Sequence, residues 1–277
     1  MDRYAVIGNP IAHSKSPWIH AAFARQTGQT LRYEALLAPL EGFADAVARF
    51  RAEGGRGLNV TVPFKLEAFA LATQRTARAE AAGAVNTLAF GADGILGDNT
   101  DGAGLVRDLS VNLERSLGAR RLLLLGAGGA TRGALLPLLG QRPAALTIAN
   151  RTASKAEALA HDFAPQAGNT CIDGCGFDDL GGRRFDVVIN ATSASLAGEL
   201  PVLPPGLYAE GALAYDMMYG RGHTRFMQTA LADGAADVAD GLGMLVEQAA
   251  ESFALWRGVR PDGAPVLAAL RRLIEAG

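Results

Sequence analysis

The sequence has little of what secreted, metal-binding or membrane-embedded proteins depend on. It holds two cysteines, Cys171 and Cys175, with no histidine near them at ligand spacing, so we expect no disulfide framework, zinc site or redox C-x-x-C motif. No stretch reaches the roughly 18 uncharged apolar residues of a membrane span. The apolar run near the first residue is too short for a secretory signal. We therefore expect a cytoplasmic protein that binds neither a metal ion nor a membrane.

An excess of positive charge is also missing. Lys and Arg number 26 against 28 Asp and Glu, a formal net charge of -2, so we expect no nucleic-acid partner. Hydrophobic residues at 49% and charged residues at 19% indicate a compact folded chain. At roughly 150 residues per domain, the 277 residues allow two domains. Glycine, by contrast, is abundant: its 34 residues are about 12% of the 277, against an average share of about 7%.

The first hundred residues mix short strands and helices. Strands are predicted at 4–7, at 57–62 and in a hairpin formed by 85–90 and 95–97. Helices are predicted from Pro17, with Ser16 as the capping residue, to about residue 27, and from about 40 to 52. Lys65 follows the proline that ends the second strand, which places it at a strand-to-helix corner.

Strands and helices alternate strictly in the second half, after a long helix predicted from about residue 100 to 117. Strands are predicted at 121–125, 144–149, 186–189, 212–216 and 236–239, with helices at 130–140 and 153–163 and a helical remainder after residue 243. The strands at 122–125 and 187–189 are wholly apolar, as in a parallel sheet covered on both faces. The fold class is therefore α/β.

A glycine-rich loop follows the first strand of this alternating region. Gly126, Ala127, Gly128, Gly129 and Ala130 lie between an apolar strand and a helix, the context in which such a loop binds a dinucleotide pyrophosphate. Thr131 stands where the dinucleotide fingerprint has its third glycine. The loop predicts a Rossmann-like, doubly wound cofactor domain.

The end of the next strand indicates which dinucleotide binds. NAD sites usually have Asp or Glu there for the ribose 2′-hydroxyl, but this sequence has Arg151 and Lys155 beside Thr152 and Ser154. Two cations at a helix start suit a 2′-phosphate, since arginine offers a planar fork and lysine a point charge. NADP is therefore favoured over NAD.

Polar residues collect at the strand ends of the first half. They are Ser14, Ser16, Asn59, Thr61, Lys65, Asn86, Thr87 and Asn99 to Asp101. In an apolar setting they are consistent with a pocket for a small polyhydroxylated anion, although their spacing alone does not name it. His13 and His20 lie near the two serines. Acid-base catalysis is one role for either histidine, but a structural role is favoured.

Ordered motifs along nearly the whole chain resemble the shikimate dehydrogenase family. They are Gly8-Asn9-Pro10-Ile11-Ala12-His13-Ser14-Lys15-Ser16-Pro17, Asn59-Val60-Thr61-Val62-Pro63-Phe64-Lys65, Gly83-Ala84-Val85-Asn86-Thr87, Gly97-Asp98-Asn99-Thr100-Asp101-Gly102, Gly126-Ala127-Gly128-Gly129-Ala130, Asn150-Arg151-Thr152, Asn190-Ala191-Thr192-Ser193, Tyr215-Asp216-Met217-Met218-Tyr219 and the segment from Asp240 to Ala249. The resemblance implies NADPH-dependent reduction of 3-dehydroshikimate to shikimate in the aromatic amino-acid pathway.

The resemblance also implies roles for individual residues. Lys65 and Asp101 match the catalytic pair, and Ser14 and Ser16 the serines that hold the substrate carboxylate. Thr61, Lys65, Asn86, Asp101, Tyr219 and Gln248 match residues around the substrate ring. On the cofactor side the matches are Gly126, Ala127, Gly128, Gly129, Ala130, Asn150, Arg151, Thr152, Ala153, Ser154, Lys155, Met217 and Gly241. Two positions depart from the family pattern: Ala77 replaces a frequent acidic residue, and Lys155 a frequent arginine.

The chemistry requires these residue types. Hydride addition to a ketone builds negative charge on oxygen, which a lysine ammonium stabilises while it delivers a proton. We expect Lys65 to donate that proton and Asp101 to orient it. Two alternatives stay open: an NAD-dependent quinate/shikimate dehydrogenase, which Arg151 disfavours, and a non-catalytic NADP-binding redox sensor, which the presence of both Lys65 and Asp101 disfavours.

The predicted architecture is two domains. Residues 1–102, joined by the terminal helices of 241–277, form the substrate domain, and residues 103–240 form the NADP domain. Gln248 requires that return of the chain, because it is assigned to the substrate pocket. The expected partner is a small-molecule substrate, and the expected assembly is a monomer or homodimer.

Overall fold

The structure is a computed structural model that describes residues 1–192 and 200–276. The chain divides into two compact units: Met1–Gly104 with Leu245–Leu270, and Leu105–Met244 with the residues from Arg271 onward. The sequence boundary placed 241–277 with the first domain, whereas here its beginning and end belong to the second unit. The reason is local packing, since Arg271 forms an ion pair with the buried Asp240.

The first unit contains a mixed six-stranded sheet. Its strands are β1 (Asp2–Gly8), β2 (Leu31–Leu37), β3 (Gly55–Val60), β4 (Gln74–Arg75), β5 (Thr87–Gly91) and β6 (Gly94–Asp98), in the order β2-β1-β3-β5-β6-β4. Its helices are α1 (Ser16–Gln26), α2 (Phe43–Ala52), α3 (Lys65–Leu71) and α4 (Ala77–Ala82). β1 runs parallel to β2 and β3, while β5 is antiparallel to β3 and β6. Phe43, Phe50, Leu58 and Phe64 lie in the buried core.

The predicted hairpin is confirmed, with β5 and β6 joined by two residues. The predicted cap of α1 is wrong: Ser16 is the first helical residue, Lys15 holds the cap position, and the Ser14 Oγ accepts the Ser16 N–H at 3.3 Å. The sequence analysis did not predict β2, β4 or α4. β2 is an edge strand whose side chains alternate between half-buried and exposed, which weakens its apolar signal.

The second unit contains a six-stranded sheet in which every pairing is parallel. Its strands are β7 (Arg121–Leu125), β8 (Ala145–Asn150), β9 (Cys171–Gly176), β10 (Phe185–Asn190), β11 (Tyr208–Asp216) and β12 (Asp237–Asp240), in the order β12-β11-β10-β7-β8-β9. The remaining helices are α5 (Asp101–Arg107), α6 (Gly129–Leu139), α7 (Ala153–Phe163), α8 (Arg225–Ala232), α9 (Leu242–Arg257) and α10 (Gly263–Ala276). Of these, α6, α7 and α8 belong wholly to the second unit, while α5, α9 and α10 each have residues in both units. The strand order reverses at β7, so the predicted doubly wound α/β fold is confirmed.

Two local predictions in this unit differ from the structure. The helix expected to reach residue 117 ends earlier: α5 continues only as a π-helical turn over Asp108–Asn112. The buried Asp108 carboxylate accepts hydrogen bonds from the Tyr215 hydroxyl at 2.7 Å and from Asn112 Nδ2 at 2.9 Å, contacts that fix this widened turn. The sequence analysis also missed β9, which contains Cys171 and Cys175; both are free, the first exposed and the second buried.

Two features are absent from residues 1–192 and 200–276. None of their helices combines the length and apolar character needed to cross a bilayer. Within the same ranges, no three His, Cys, Asp or Glu side chains form a group that could hold a metal ion.

Candidate active site

The loops at the carboxyl edge of the first sheet are tied to one another by hydrogen bonds. Asn9, after β1, donates its N–H to the Val62 carbonyl at 3.0 Å and its side-chain amide to the Ala38 carbonyl at 2.8 Å. Gly8 allows a close approach, since a Cβ there would lie 2.5 Å from the Thr61 Cγ2. The edge therefore holds the loop containing Ser14 beside the end of β3, where Thr61 begins the connection to Lys65.

Lys65 and Asp101 form an ion pair at this edge. Each is the first residue of a helix, α3 and α5 respectively, and Lys65 Nζ lies 2.5 Å from Asp101 Oδ2. The other carboxylate oxygen of Asp101 accepts Asn86 Nδ2 at 2.8 Å. The side chains of Lys65 and Asp101 are 32% and 21% exposed, so a small molecule can reach the ammonium while the pair is partly shielded from water. The structure thus brings together three of the predicted site residues.

Asn86 is almost completely buried, and the protein engages both ends of its amide. Its Oδ1 accepts the Thr100 N–H at 2.9 Å, and its Nδ2 also donates to the Thr100 hydroxyl at 2.9 Å. Gln248 of α9 contributes an Oε1 at 3.5 Å from Asn86 Nδ2. Asn86 therefore holds the Asp101 carboxylate from the protein side.

Gln248 reaches this cluster because α9 packs closely on the start of α5. A Cβ on Gly104 would lie 2.6 Å from the Gln248 backbone nitrogen, so glycine permits the contact. The Gln248 side chain is further held by its Nε2, which donates to the Leu245 carbonyl at 2.8 Å. Gln248 therefore belongs to the first unit, together with Asn86 and Asp101.

Sequence reasoning missed two residues of the site region, Tyr33 and Ser252. The Tyr33 hydroxyl donates to Asn59 Oδ1 at 2.7 Å, and Asn59 Nδ2 donates to the fully buried Ser252 hydroxyl at 2.8 Å. A signal for Ser252 exists in its position one helical turn after Gln248. Tyr33 lies on an edge strand and carries no comparable signal.

The two histidines near the serine loop differ sharply in environment. His13 is exposed, whereas His20 is fully buried with its ring stacked on Tyr33 at a centroid distance of 4.1 Å. Neither His20 nitrogen meets a partner in hydrogen-bonding geometry, although the Asn59 amide lies close enough to oppose the effect of burial in part. Burial lowers the His20 pKa to about 3, so the ring is neutral near neutral pH and suits a structural role.

The glycine-rich loop of the second unit leads from β7 into α6. Gly126 has a φ of +101°, a conformation that L side chains rarely adopt, and a Cβ there would approach Thr192. Cβ atoms on Gly128 and Gly129 would meet nothing within 4 Å, so their backbone is open to a ligand at the helix start. Thr131 stands where the dinucleotide fingerprint has its third glycine. Its Oγ1 donates to the Gly126 carbonyl at 2.7 Å, a hydrogen bond that a glycine at this position cannot make.

The end of β8 presents the two predicted cations. Asn150 Nδ2 donates to the Thr152 carbonyl at 3.0 Å and so shapes the turn into α7. Arg151 and Lys155 are both exposed, and neither has an ion-pair or hydrogen-bond partner for its side chain among the described residues. Two unpaired cations at a helix start are available to a phosphate dianion.

The loops after β11 and β12 are joined through Met217, Met218 and Gly241. The Gly241 N–H donates to the Met218 carbonyl at 3.0 Å, and a Cβ on Gly241 would overlap the Met217 carbonyl. The buried Asp216 carboxylate accepts the Met218 N–H at 3.2 Å, and burial raises its pKa. Tyr219 is 36% exposed in the same unit, with its pKa raised by burial. The motif residue Ser193 lies outside the described ranges.

Three family models, all of shikimate dehydrogenases, match successive segments of the chain. The family model for the shikimate dehydrogenase substrate binding domain matches residues 6–88, that for shikimate / quinate 5-dehydrogenase matches 109–197, and that for the shikimate 5′-dehydrogenase C-terminal domain matches 241–271. Together they cover more than half of the chain.

Relatives and solved structures match over nearly their full length. The chain is 71% identical to an NADP(+)-dependent shikimate dehydrogenase of Aromatoleum aromaticum, over 100% of this chain and 99% of that one. It is 51% identical to a crystal structure of an Ael1 enzyme from Pseudomonas putida, with a TM-score of 0.91 and 98% of each chain covered. It is 34% identical to shikimate 5-dehydrogenase from Thermus thermophilus in complex with NADP(H) and shikimate, with a TM-score of 0.84 over 98% of this chain and 99% of that one. The resemblance read from the motifs is confirmed, and the chain belongs to the shikimate dehydrogenase family.

Proposed function

We propose that this protein catalyses the reversible, NADPH-dependent reduction of 3-dehydroshikimate to shikimate in aromatic amino-acid biosynthesis. It is an oxidoreductase, and its relatives of high identity are named as NADP(+)-dependent shikimate dehydrogenases. The observation that carries the proposal is the contact of 2.5 Å between Lys65 Nζ and Asp101 Oδ2 at a partly open sheet edge.

Lys65 is the proton donor in this proposal. As a carbonyl carbon accepts a hydride, negative charge grows on its oxygen, and the Lys65 ammonium stabilises that charge and releases a proton to it. Asp101 orients the ammonium through the ion pair, and its 21% exposed side chain is open to a substrate hydroxyl. In the oxidation direction the neutral Lys65 amine takes the hydroxyl proton back.

The first unit forms the substrate domain. Ser14 and Ser16 bind the substrate carboxylate, because their loop lies at the same edge as Thr61 and Lys65. The other residues assigned to the substrate ring by the family resemblance are Thr61, Asn86, Asp101, Gln248 and Tyr219. Asn86 acts mainly by holding Asp101, since both ends of its amide already have protein partners.

The second unit forms the NADP domain, and its residues fit that cofactor. The open backbone at Gly128 and Gly129 suits a pyrophosphate at the start of α6, and the unpaired Arg151 and Lys155 suit the 2′-phosphate. When bound, the nicotinamide supplies the hydride. The other residues assigned to the cofactor are Gly126, Ala127, Ala130, Asn150, Thr152, Ala153, Ser154, Met217 and Gly241.

A cytoplasmic location and a monomeric or homodimeric state complete the proposal. A small-molecule reaction with a freely diffusing cofactor requires neither a membrane nor a macromolecular partner. Light scattering on the purified protein measures its assembly, and a mass above that of a dimer would contradict this part.

The direct test is a nicotinamide absorbance assay in the oxidation direction. It compares NADP with NAD as the oxidant and shikimate with quinate as the substrate. We expect turnover with shikimate and NADP, and a strong preference for both over the alternatives. Preference for NAD would refute the argument from Arg151 and Lys155, and preference for quinate would identify a quinate dehydrogenase. Absence of turnover with every cyclohexene acid would favour a redox sensor.

A further inference from the structure

Three buried hydroxyl groups lie beneath the Lys65–Asp101 pair. This hydroxyl cluster consists of Thr87 on β5, Thr100 before α5 and Ser252 on α9, and all three residues are fully buried. Thr87 Oγ1 lies 2.8 Å from Ser252 Oγ, and Thr100 Oγ1 lies 3.3 Å from it. The cluster thus joins three elements that meet behind the site.

The Asn59 amide restricts the direction of the hydrogen bonds in the cluster. Asn59 Nδ2 donates to Thr87 Oγ1 at 3.1 Å and to Ser252 Oγ at 2.8 Å, so both oxygens act as acceptors towards Asn59. The acceptors for the proton of Ser252 Oγ include Thr87 Oγ1 at 2.8 Å and the Gln248 carbonyl at 3.1 Å. The Thr87 proton is then free to be donated to Asn86 Oδ1, which lies 2.9 Å away.

Asn86 connects the cluster to the proposed catalytic pair. Its Oδ1 accepts from Thr87 Oγ1 and from the Thr100 N–H, so its Nδ2 points to Asp101 Oδ1. The opposite amide orientation would direct an oxygen at the Asp101 carboxylate and an NH₂ group at a backbone N–H. The hydroxyl of Thr87 therefore helps to decide which end of the amide meets Asp101.

We propose that Thr87 is a positioning residue whose hydroxyl sets the Asn86 amide and, through it, the Asp101 carboxylate that pairs with Lys65. The inference rests on the proposed function only in assigning catalysis to Lys65 and Asp101. Thr87 itself does not touch that pair. Its contribution is to restrict Asn86 to one orientation before the substrate arrives, which preorganises the Asp101 carboxylate.

Two substitutions separate the hydroxyl from the rest of the side chain. Thr87→Val keeps the branched shape and removes the hydroxyl, whereas Thr87→Ser keeps the hydroxyl and removes the methyl group. With shikimate and NADP, we expect Thr87→Val to lower kcat by about 10-fold to 100-fold, because small displacements of reacting groups have effects of this size. We expect KM for shikimate to rise, KM for NADP to stay unchanged, and Thr87→Ser to retain most of the wild-type activity.

A second readout does not depend on turnover. In amide-detected NMR of the full chain, the side-chain NH₂ signals of Asn86 should move or double in Thr87→Val and stay near the wild-type positions in Thr87→Ser. If Thr87→Val fails to fold, Ser252→Ala removes a neighbouring hydroxyl of the cluster, and its Asn86 signals and kcat are expected to change in the same direction.

Each result has a distinct meaning. Wild-type kcat, shikimate KM and Asn86 signals in Thr87→Val would overturn the positioning role and leave the proposed function intact. Equal losses in Thr87→Val and Thr87→Ser would overturn it as well, because the methyl group would then be what matters. An inactive wild-type protein would instead refute the proposed function, while the Asn86 signals would still decide the role of Thr87.

Discussion

At the carboxyl edge of the first sheet, Lys65 and Asn86 both donate hydrogen bonds to Asp101. By contrast, Arg151 and Lys155 at the second sheet have no side-chain partner among the described residues. The first edge has its polar groups arranged by other side chains. The second presents open glycine backbone and exposed cations. The difference matches what each unit is proposed to bind, because a ring with several hydroxyls needs fixed partners while a phosphate is satisfied by charge and backbone N–H groups.

The contrast has an energetic consequence. Substitutions in a connected network couple to one another, whereas those at separate exposed groups add nearly independently. Substitutions at the first edge should therefore change both turnover and the free energy of unfolding. Substitutions at the second edge should mainly change the affinity for the cofactor. Four predictions test this contrast.

The largest effect is expected at Lys65. Lys65→Ala should lower kcat by about 100-fold or more, because the proposed proton donor is lost, while NADPH affinity stays unchanged. Lys155→Ala is the matched control and should show the reverse, with a raised KM for NADPH and a nearly unchanged kcat. Steady-state kinetics and NADPH fluorescence titration measure the two quantities. Wild-type turnover in Lys65→Ala would remove Lys65 from the mechanism.

His20 should make the first unit sensitive to acid. Burial lowers its pKa from 6.5 to about 3 in the folded chain, so the stability gained from the neutral ring is complete above pH 6.5 and is lost as the pH falls towards 3. Between about pH 7.5 and pH 4.5, this amounts to about 2.5 kcal/mol in the free energy of unfolding.

Urea unfolding at the two pH values measures that loss. His20→Phe should lose about 2.5 kcal/mol less than the wild type over this interval, since the ring that must be charged is absent. His161→Phe, at an exposed position on α7, is the control and should follow the wild type. Parallel behaviour of His20→Phe and the wild type would show that His20 does not contribute to acid sensitivity.

Arg151 and Lys155 should set cofactor preference. The double substitution of both residues by alanine is expected to reduce the preference for NADPH over NADH by about 10-fold or more, because the 2′-phosphate loses the charge-assisted partners proposed for it. The ratio of kcat/KM for the two cofactors gives the measurement. Arg184→Ala, which removes another exposed arginine of the same unit, should leave that ratio unchanged. An unaltered ratio in the double variant would place the phosphate elsewhere.

The smallest effect is expected in the glycine-rich loop. Gly126→Ala introduces a side chain at a φ of +101° and should lower the free energy of unfolding by about 1 kcal/mol or more. Gly128→Ala meets no protein atom, so it should leave stability unchanged but raise KM for NADPH by occupying the space proposed for the pyrophosphate. Thermal unfolding and kinetics separate the two. Equal stability losses would contradict the distinction between a strained and an open glycine.

The sequence predicted the second unit better than the first. β7 and its all-leucine interior, the loop from Gly126 and the cations after β8 all follow from neighbouring residues, so a local reading finds them. The edge strand β2 and the short β4 lack a continuous apolar signal and were missed. The end of α5 was misplaced because Asp108 is held by Tyr215, which lies 107 positions away.

The sequence by itself determined the α/β class, the parallel cofactor sheet and the identity of most proposed site residues, because these depend on local periodicity and motif order. The tertiary structure alone decided how Asn86, Thr100, Gln248 and Ser252 are connected. Asn86 and Gln248 are separated by 162 positions along the chain, and Thr87 and Ser252 by 165 positions, so these hydrogen bonds require α9 to return to the first sheet. It also decided that His20 is buried and neutral. Such properties arise from which elements pack together, and short-range sequence patterns do not encode that choice.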